Sequence, residues 1–142
     1  MERSLLSRCT EILVSSPPYL STSEPLKPFL SKCRIEPLFI DESRIPKRYL
    51  SIPKRGLTSI EEIRVLCVGR LTYYKGFDSA IRAVAELPDC FLRIAGTGEE
   101  YDNLAKLIDE LGLSHRVKLL GEVIEEDLWD LYAWCDLLCL PS

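Results

Sequence analysis

The sequence has 142 residues, of which 46 % are apolar and 28 % are charged, as in an ordinary soluble globular protein. The formal net charge of −4 leaves no broad basic surface, which argues against DNA or RNA as a partner. A metal centre is disfavoured because His115 is the sole histidine and the six cysteines contain no C-x-x-C pair.

The cysteines are predicted to be reduced. No signal peptide precedes them, and four lie in or beside predicted strands or helices among apolar neighbours, where a free thiol behaves as a small hydrophobe. No apolar run approaches the length of a membrane span.

The first 41 residues predict too few elements to close a core. Short apolar runs at 11–15 and 34–40 predict two strands, and residues 16–32 predict a loop with a short helical segment. Prolines interrupt any long helix there, although Ser23 with Pro25 two positions later is a favourable helix start. We interpret residues 1–41 as the end of a larger domain.

Residues 42–62 predict a linker, because proline and glycine replace any sustained apolar periodicity. This stretch also carries a cluster of basic residues: Arg44, Lys47, Arg48, Lys54 and Arg55. A solvated connector is favoured over a binding patch.

From residue 63 onward, strands alternate with helices. The predicted strands are 63–68, 90–95, 117–120 and 137–140, and apolar residues at helical spacing follow each of the first three. Such alternation predicts an α/β fold with a Rossmann-like parallel sheet and helices on both faces. Ligands of these folds bind at the carboxyl ends of the strands.

The turn after the first of these strands is a candidate diphosphate site. Gly69 permits close approach of a ligand, and a helix that begins near Gly76 presents free N–H groups. Arg70 and Lys75 flank this position and would supply a planar fork and a point charge for phosphate oxygens. The alternative is a solvent-exposed loop with two ordinary charges.

The next two turns also contain glycine. Gly96 and Gly98 follow the second strand, and Gly121 with Val123 follows the third, where an apolar side chain could pack on a flat base. A lone G-x-G is weak support for a ligand site, because tight strand-to-helix turns use glycine for geometry alone.

Taken together, the motifs resemble the donor domain of family 4 of the glycosyltransferases, which has GT-B architecture. The matching segments over about 80 residues are Val68-Gly-Arg-Leu, Lys75-Gly-Phe-Asp, Ile94-Ala-Gly-Thr-Gly, Leu111-Gly-Leu, Val117-Lys-Leu-Leu-Gly-Glu-Val, Leu131-Tyr, Cys135-Asp136 and Leu140-Pro-Ser142. Residues 12–16 and 35–41 resemble the end of that family's acceptor domain. The implied domains are an incomplete acceptor domain (1–41), a linker (42–62) and an incomplete nucleotide-sugar-binding domain (63–142).

The resemblance implies a retaining, metal-independent enzyme of saccharide biosynthesis that uses no cofactor. Its substrates would be a UDP- or GDP-linked sugar and a saccharide or lipid-linked acceptor. Arg70 and Lys75 would be catalytic, holding the diphosphate and stabilising charge on the leaving group. Gly69, Gly76, Gly96 and Gly98 would lie at the donor, and Gly121 with Val123 would bracket the base.

The family continues after the Pro-Ser pair with two sugar-binding glutamates, so we expect this chain to be part of a two-domain enzyme and inactive alone. A non-catalytic remnant with weak nucleotide binding is the rival, and a dehydrogenase is disfavoured because G-x-G-x-x-G is missing from the first turn. We expect a cytoplasmic protein, with peripheral membrane association of the full-length enzyme left open.

Overall fold

The computed structural model describes residues 2–39, 41–51 and 62–141, and its chain forms two compact units, Met1–Arg44 and Ile45–Ser142. The division falls within the predicted linker, of which residues 52–61 lie outside the described residues.

The first unit contains two short strands, which pair in parallel. Its elements are α1 (Glu2–Arg8), β1 (Ile12–Val14), α2 (Pro17–Thr22), a 3₁₀ helix (Glu24–Lys32), β2 (Cys33–Ile35) and a 3₁₀ turn (Glu42–Arg44). The helix start at Ser23 is confirmed, with Pro25 in the first turn. The second strand is shorter than predicted and ends before Pro37, because proline cannot donate a hydrogen bond to a neighbouring strand.

The second unit repeats strand and helix as predicted. It contains β3 (Ile63–Val68), α3 (Phe77–Ala85), β4 (Cys90–Ala95), α4 (Tyr101–Glu110), β5 (Val117–Gly121), α5 (Glu125–Trp134) and β6 (Leu137–Leu138), with 3₁₀ turns at Lys47–Tyr49 and Tyr73–Lys75. The bounds of β3 and β4 match the predicted strands, whereas β6 forms only two residues of the predicted 137–140.

The four strands of this unit form one parallel sheet in the order β5-β4-β3-β6. The chain moves outward from β3 to β5 and then returns past β3 to place β6 on its other side. The order in which successive strands are added therefore reverses at β3, although all strands remain parallel. Between β3 and β6 this reversal creates the crevice where doubly wound folds bind ligands.

Helices cover both faces of the sheet, which confirms the predicted fold class. On one face, α3 and α4 bury a large cluster whose most enclosed members are Cys67, Leu71, Ile81, Leu92 and Ile94. On the other face, α5 contributes Leu131 to a smaller cluster with Leu66 and Ala95. Both clusters arise from the apolar spacing of the helices and the continuous apolar strands between them.

Part of the predicted connector packs against α5. The ring of Tyr49 stacks on Trp129 with 6.5 Å between centroids, and its hydroxyl is hydrogen bonded to Asp130. The Arg48 guanidinium lies 4.7 Å from the Tyr49 ring centroid and donates a hydrogen bond to the Tyr49 hydroxyl. This segment is thus attached to the sheet unit, while the basic pair Lys54 and Arg55 lies outside the described residues.

Candidate functional site

A cleft with a volume of about 520 Å³ opens at the carboxyl ends of β3, β4 and β5. Five of the eight predicted site residues line it: Gly69, Arg70, Gly96, Gly98 and Val123. The remaining lining residues are Val68, Ala95, Thr97, Glu122 and Leu128. The cleft lies where the parallel sheet presents its strand ends, as the alternation of strands and helices predicted.

Close contact between two loops shapes the floor of the cleft. A Cβ atom on Gly96 would lie 1.9 Å from the carbonyl oxygen of Gly69, and one on Gly98 would lie 2.2 Å from that of Leu71. Backbone bonds join the same loops, from Gly69 N to Ala95 O (3.0 Å) and from Leu71 N to Thr97 O (2.9 Å). Gly96 and Gly98 are therefore required for close packing of the two loops. This is the structural role that strand-to-helix turns give to glycine whether or not a ligand binds.

Arg70 projects from this packed floor into solvent. Its side chain is 76 % exposed, and its Nη2 lies 3.9 Å from Oε2 of Glu99 in the neighbouring loop. An exposed ion pair of this length contributes little to stability. The guanidinium can consequently exchange Glu99 for the oxygen atoms of a bound anion at small cost.

Lys75 and Gly76 lie beside the cleft and do not line it. Lys75 ends the short 3₁₀ turn, with its Nζ 5.6 Å from the ring centroid of Tyr74. Gly76 adopts the left-handed conformation (φ 64°) and precedes α3, and a Cβ there would lie 2.9 Å from the carbonyl oxygen of Pro141. Since Pro141 follows β6, Gly76 lies at the crevice between β3 and β6, and Lys75 immediately precedes it in the chain.

The third turn lies against the second. Gly121 ends β5, and its carbonyl oxygen accepts a hydrogen bond from Gly96 N at 2.7 Å. Val123 is partly buried and packs on the smaller cluster while also lining the cleft. Val123 therefore forms part of an apolar wall of the cleft, whereas Gly121 does not line the cleft.

Five lining residues were not predicted as site residues: Val68, Ala95, Thr97, Glu122 and Leu128. The first four are neighbours in sequence of predicted site residues, so their positions at the strand ends could have indicated them. Leu128 lies on α5 and was recognised as a core position of its helix, but nothing local indicated that it reaches the cleft.

The loop between Arg70 and Lys75 also contains a buried hydroxyl. Thr72 is only 7 % exposed, and its Oγ1 has no hydrogen-bond partner among the described residues. Its backbone is satisfied on both sides, by bonds from Thr72 N to Arg70 O and from Lys75 N to Thr72 O. A buried hydroxyl without a partner is costly, which marks this loop as a locally unfavourable part of the fold.

Across residues 2–39, 41–51 and 62–141, no three His, Cys, Asp or Glu side chains are grouped so as to hold a metal ion. In the same ranges, no helix has the length and apolar character needed to cross a membrane.

The chain is similar in sequence to curated glycosyltransferases. The chain is 49 % identical over 78 residues to the lipopolysaccharide core biosynthesis glycosyltransferase LpsE of Rhizobium meliloti, covering 55 % of this chain and 22 % of LpsE. It is 42 % identical over 92 residues to a D-inositol 3-phosphate glycosyltransferase of Mycobacterium sp. (strain KMS), covering 61 % and 21 %. The chain therefore spans about a fifth of the length of the curated relatives it matches.

The fold is similar to that of solved glycosyltransferase structures. Alr3699/HepE of Anabaena, solved in complex with UDP, superposes with a TM-score of 0.74 over 100 % of this chain and 43 % of its own, at 21 % identity. The family model described as "Glycosyl transferases group 1" matches residues 52–142, well over half of the sequence. The predicted resemblance to glycosyltransferases is thereby confirmed, and the chain belongs to the group 1 glycosyl transferases.

Proposed function

We propose that this chain forms the nucleotide-sugar site of a retaining, metal-independent glycosyltransferase of family 4. The enzyme would transfer a sugar from a UDP- or GDP-linked donor to a saccharide or lipid-linked acceptor. The observation that carries the proposal is the cleft at the carboxyl ends of three parallel strands, which Arg70 lines with an exposed guanidinium.

The named relatives support the substrate classes. LpsE is named for lipopolysaccharide core biosynthesis, which favours a saccharide or lipid-linked acceptor here. HepE, whose fold is shared, was solved with UDP and with UDP-glucose. A nucleoside diphosphate linked to a sugar is therefore the donor class that we propose for this cleft.

The diphosphate would lie on the loop between β3 and α3. The Arg70 guanidinium would leave Glu99 and hold phosphate oxygens with two parallel hydrogen bonds, while the α3 N-terminus adds its partial positive charge. Lys75, at the end of the 3₁₀ turn just before Gly76 and α3, would approach the same group from the side. The base would lie toward Val123 and Leu128, the apolar wall of the cleft.

These cations would assist bond cleavage as well as binding. When the bond from the anomeric carbon to the phosphate oxygen breaks, the departing nucleoside diphosphate gains negative charge. Arg70 and Lys75 would stabilise that charge without a metal ion and without a proton transfer. Because the interaction strengthens as charge develops, it lowers the barrier more than it tightens donor binding.

Calorimetric titration of UDP and GDP tests the proposal. We expect Arg70→Ala and Lys75→Ala each to raise the dissociation constant about tenfold or more, since each removes a charge-assisted contact. Arg82→Ala is the matched control, because Arg82 is an exposed cation on α3 that lies outside the cleft lining. Equal affinities of the wild-type chain and both site variants would contradict the proposed site.

A further inference from the structure

Two cysteines lie opposite each other on neighbouring strands, close to the site but outside it. The β3–β6 register pairs Val65 with Leu137 and Leu66 with Leu138. Cys67 and Cys139 each follow the second of these pairs by one residue, and Cys139 N donates a 2.8 Å hydrogen bond to Leu66 O. Backbone geometry thus places the two residues side by side.

The two side chains also point to the same face of the sheet. Cys67 is fully buried in the larger cluster, and Cys139 is a partly buried member packed against that cluster. Burial, and then the neighbouring Cys139, raises the pKa of Cys67 to about 12. Both sulfurs are reduced in the structure.

The spacing suits a covalent bond. Neighbouring strands lie about 4.8 Å apart, inside the roughly 4.4 to 6.8 Å range of Cα separations that disulfides span. β6 is an edge strand of two residues, so it can shift slightly to bring the sulfurs to bonding distance. The other described cysteines are not placed opposite one another in the strand registers.

We propose that Cys67 and Cys139 form a latent disulfide site, which a low-molecular-weight disulfide such as glutathione disulfide oxidises in the folded protein. The more exposed Cys139 loses its proton to solvent, and its thiolate attacks glutathione disulfide, which gives a mixed disulfide and releases one glutathione thiolate. Cys67 then attacks the Cys139 sulfur and expels the second glutathione, which takes up the proton that Cys67 loses. Two protein thiols become one disulfide, and the oxidant becomes two glutathione thiols.

The bond would act on the architecture of the cleft. Cys67 lies two residues before Gly69, and Cys139 lies two residues before Pro141, whose carbonyl oxygen faces Gly76. The cross-link would therefore join the two strands that flank the crevice, and it would close a loop of about 70 residues in the unfolded chain.

The test is native oxidation followed by peptide mapping. The folded chain is incubated with glutathione disulfide, remaining thiols are alkylated, and tryptic peptides are identified by mass spectrometry. We expect peptide 65–70 to be linked to peptide 119–142, and the midpoint of urea unfolding to rise by about 1 M or more.

Peptide 119–142 also contains Cys135, which provides a matched control. Both Cys135 and Cys139 are partly buried, but Cys135 belongs to the cluster on the opposite face. We expect Cys139→Ala to abolish the link and the stabilisation, and Cys135→Ala to retain both. Three outcomes would overturn the proposal: Cys67 is recovered in its alkylated form from the oxidised wild type, glutathione remains attached to Cys139, or the disulfide forms only when the chain is unfolded in urea.

Discussion

At the scale of single residues, glycine occupies its positions for two separable reasons. Gly98 has an ordinary φ, but its missing Cβ leaves room for the carbonyl oxygen of Leu71. Gly112, which ends α4, has φ +66° and nothing within 4 Å of the Cβ position. The first glycine is required by packing between loops and the second by backbone conformation.

This difference predicts unequal effects of alanine. Gly98→Ala should lower the free energy of unfolding by about 3 kcal/mol, because two backbone segments must separate. Gly112→Ala should cost about 1 kcal/mol, the strain of a left-handed alanine. Urea unfolding of both variants measures the difference, and a smaller loss for Gly98→Ala than for Gly112→Ala would refute the packing explanation.

Thr72 supplies a second prediction at this scale. Thr72→Val keeps the shape of the side chain and removes a buried hydroxyl that lacks a partner among the described residues, so we expect a gain of about 1 kcal/mol in stability. The control is Thr97→Val, at an exposed position of the adjacent loop, which should change stability by less than about 0.5 kcal/mol. A clear loss of stability in Thr72→Val, measured by thermal unfolding, would show that the hydroxyl is bonded after all.

At the scale of elements, one arginine joins three segments of the sheet unit. Arg116 precedes β5, and its Nη1 donates hydrogen bonds to Val84 O at 2.9 Å and to Leu87 O beyond the end of α3. A third, longer contact of 3.4 Å reaches Cys90 O at the start of β4. The guanidinium thus adds charge-assisted hydrogen bonds to carbonyl groups at the end of α3, where Val84 O and Leu87 O also accept backbone bonds from Leu87 N and Cys90 N.

Arg116→Met should therefore destabilise the fold although it retains the apolar stem. We expect a loss of about 2 kcal/mol, since hydrogen bonds from a charged group to these carbonyl oxygens are removed. Arg82→Met, at an exposed position on α3, is the matched control and should be nearly neutral. Denaturant unfolding distinguishes the two, and equal values would mean that the cap contributes nothing.

At the scale of the whole molecule, the parallel sheet brings distant turns to one edge while burying a core beneath it. Cys67 lies at the centre of that core, in the strand that leads directly into Arg70. Burial, and then the adjacent Cys139, raises the pKa of its thiol from 9.0 to about 12. The stability of the sheet unit is consequently linked to the protonation of this buried group.

The sign of the linkage predicts weaker folding in alkali. The folded pKa is raised above the unfolded value, so the contribution is complete below pH 9 and is lost as the pH rises from about 9 toward 12. Over this window the wild type should lose up to about 1.4 kcal/mol per pH unit more than Cys67→Ala. Urea midpoints at several alkaline pH values measure the difference, and parallel curves for both proteins would contradict the prediction.

Much of the fold was predictable because its signals are local. Strand bounds at 63–68 and 90–95 follow from continuous apolar runs, and the helices follow from spacing of three to four residues. The same regularity predicted a parallel sheet and a site at its carboxyl edge, where Arg70 was found. The end of β2 also had a local signal that the predicted strand 34–40 ignored, since Pro37 cannot donate the hydrogen bond that would extend the strand.

Tertiary structure alone decided how those elements meet. Local patterns do not specify which strands become neighbours, so the placement of β6 beside β3, and with it the pairing of Cys67 with Cys139, depends on long-range packing. Long-range packing also sets the close approach of Gly96 to the Gly69 carbonyl group and the position of Leu128 in the lining of the cleft. The elements, the fold class and the family resemblance could be predicted without a structure, because they depend on the pattern of side chains along the chain. The shape of the site could not, because it depends on contacts between residues far apart in sequence.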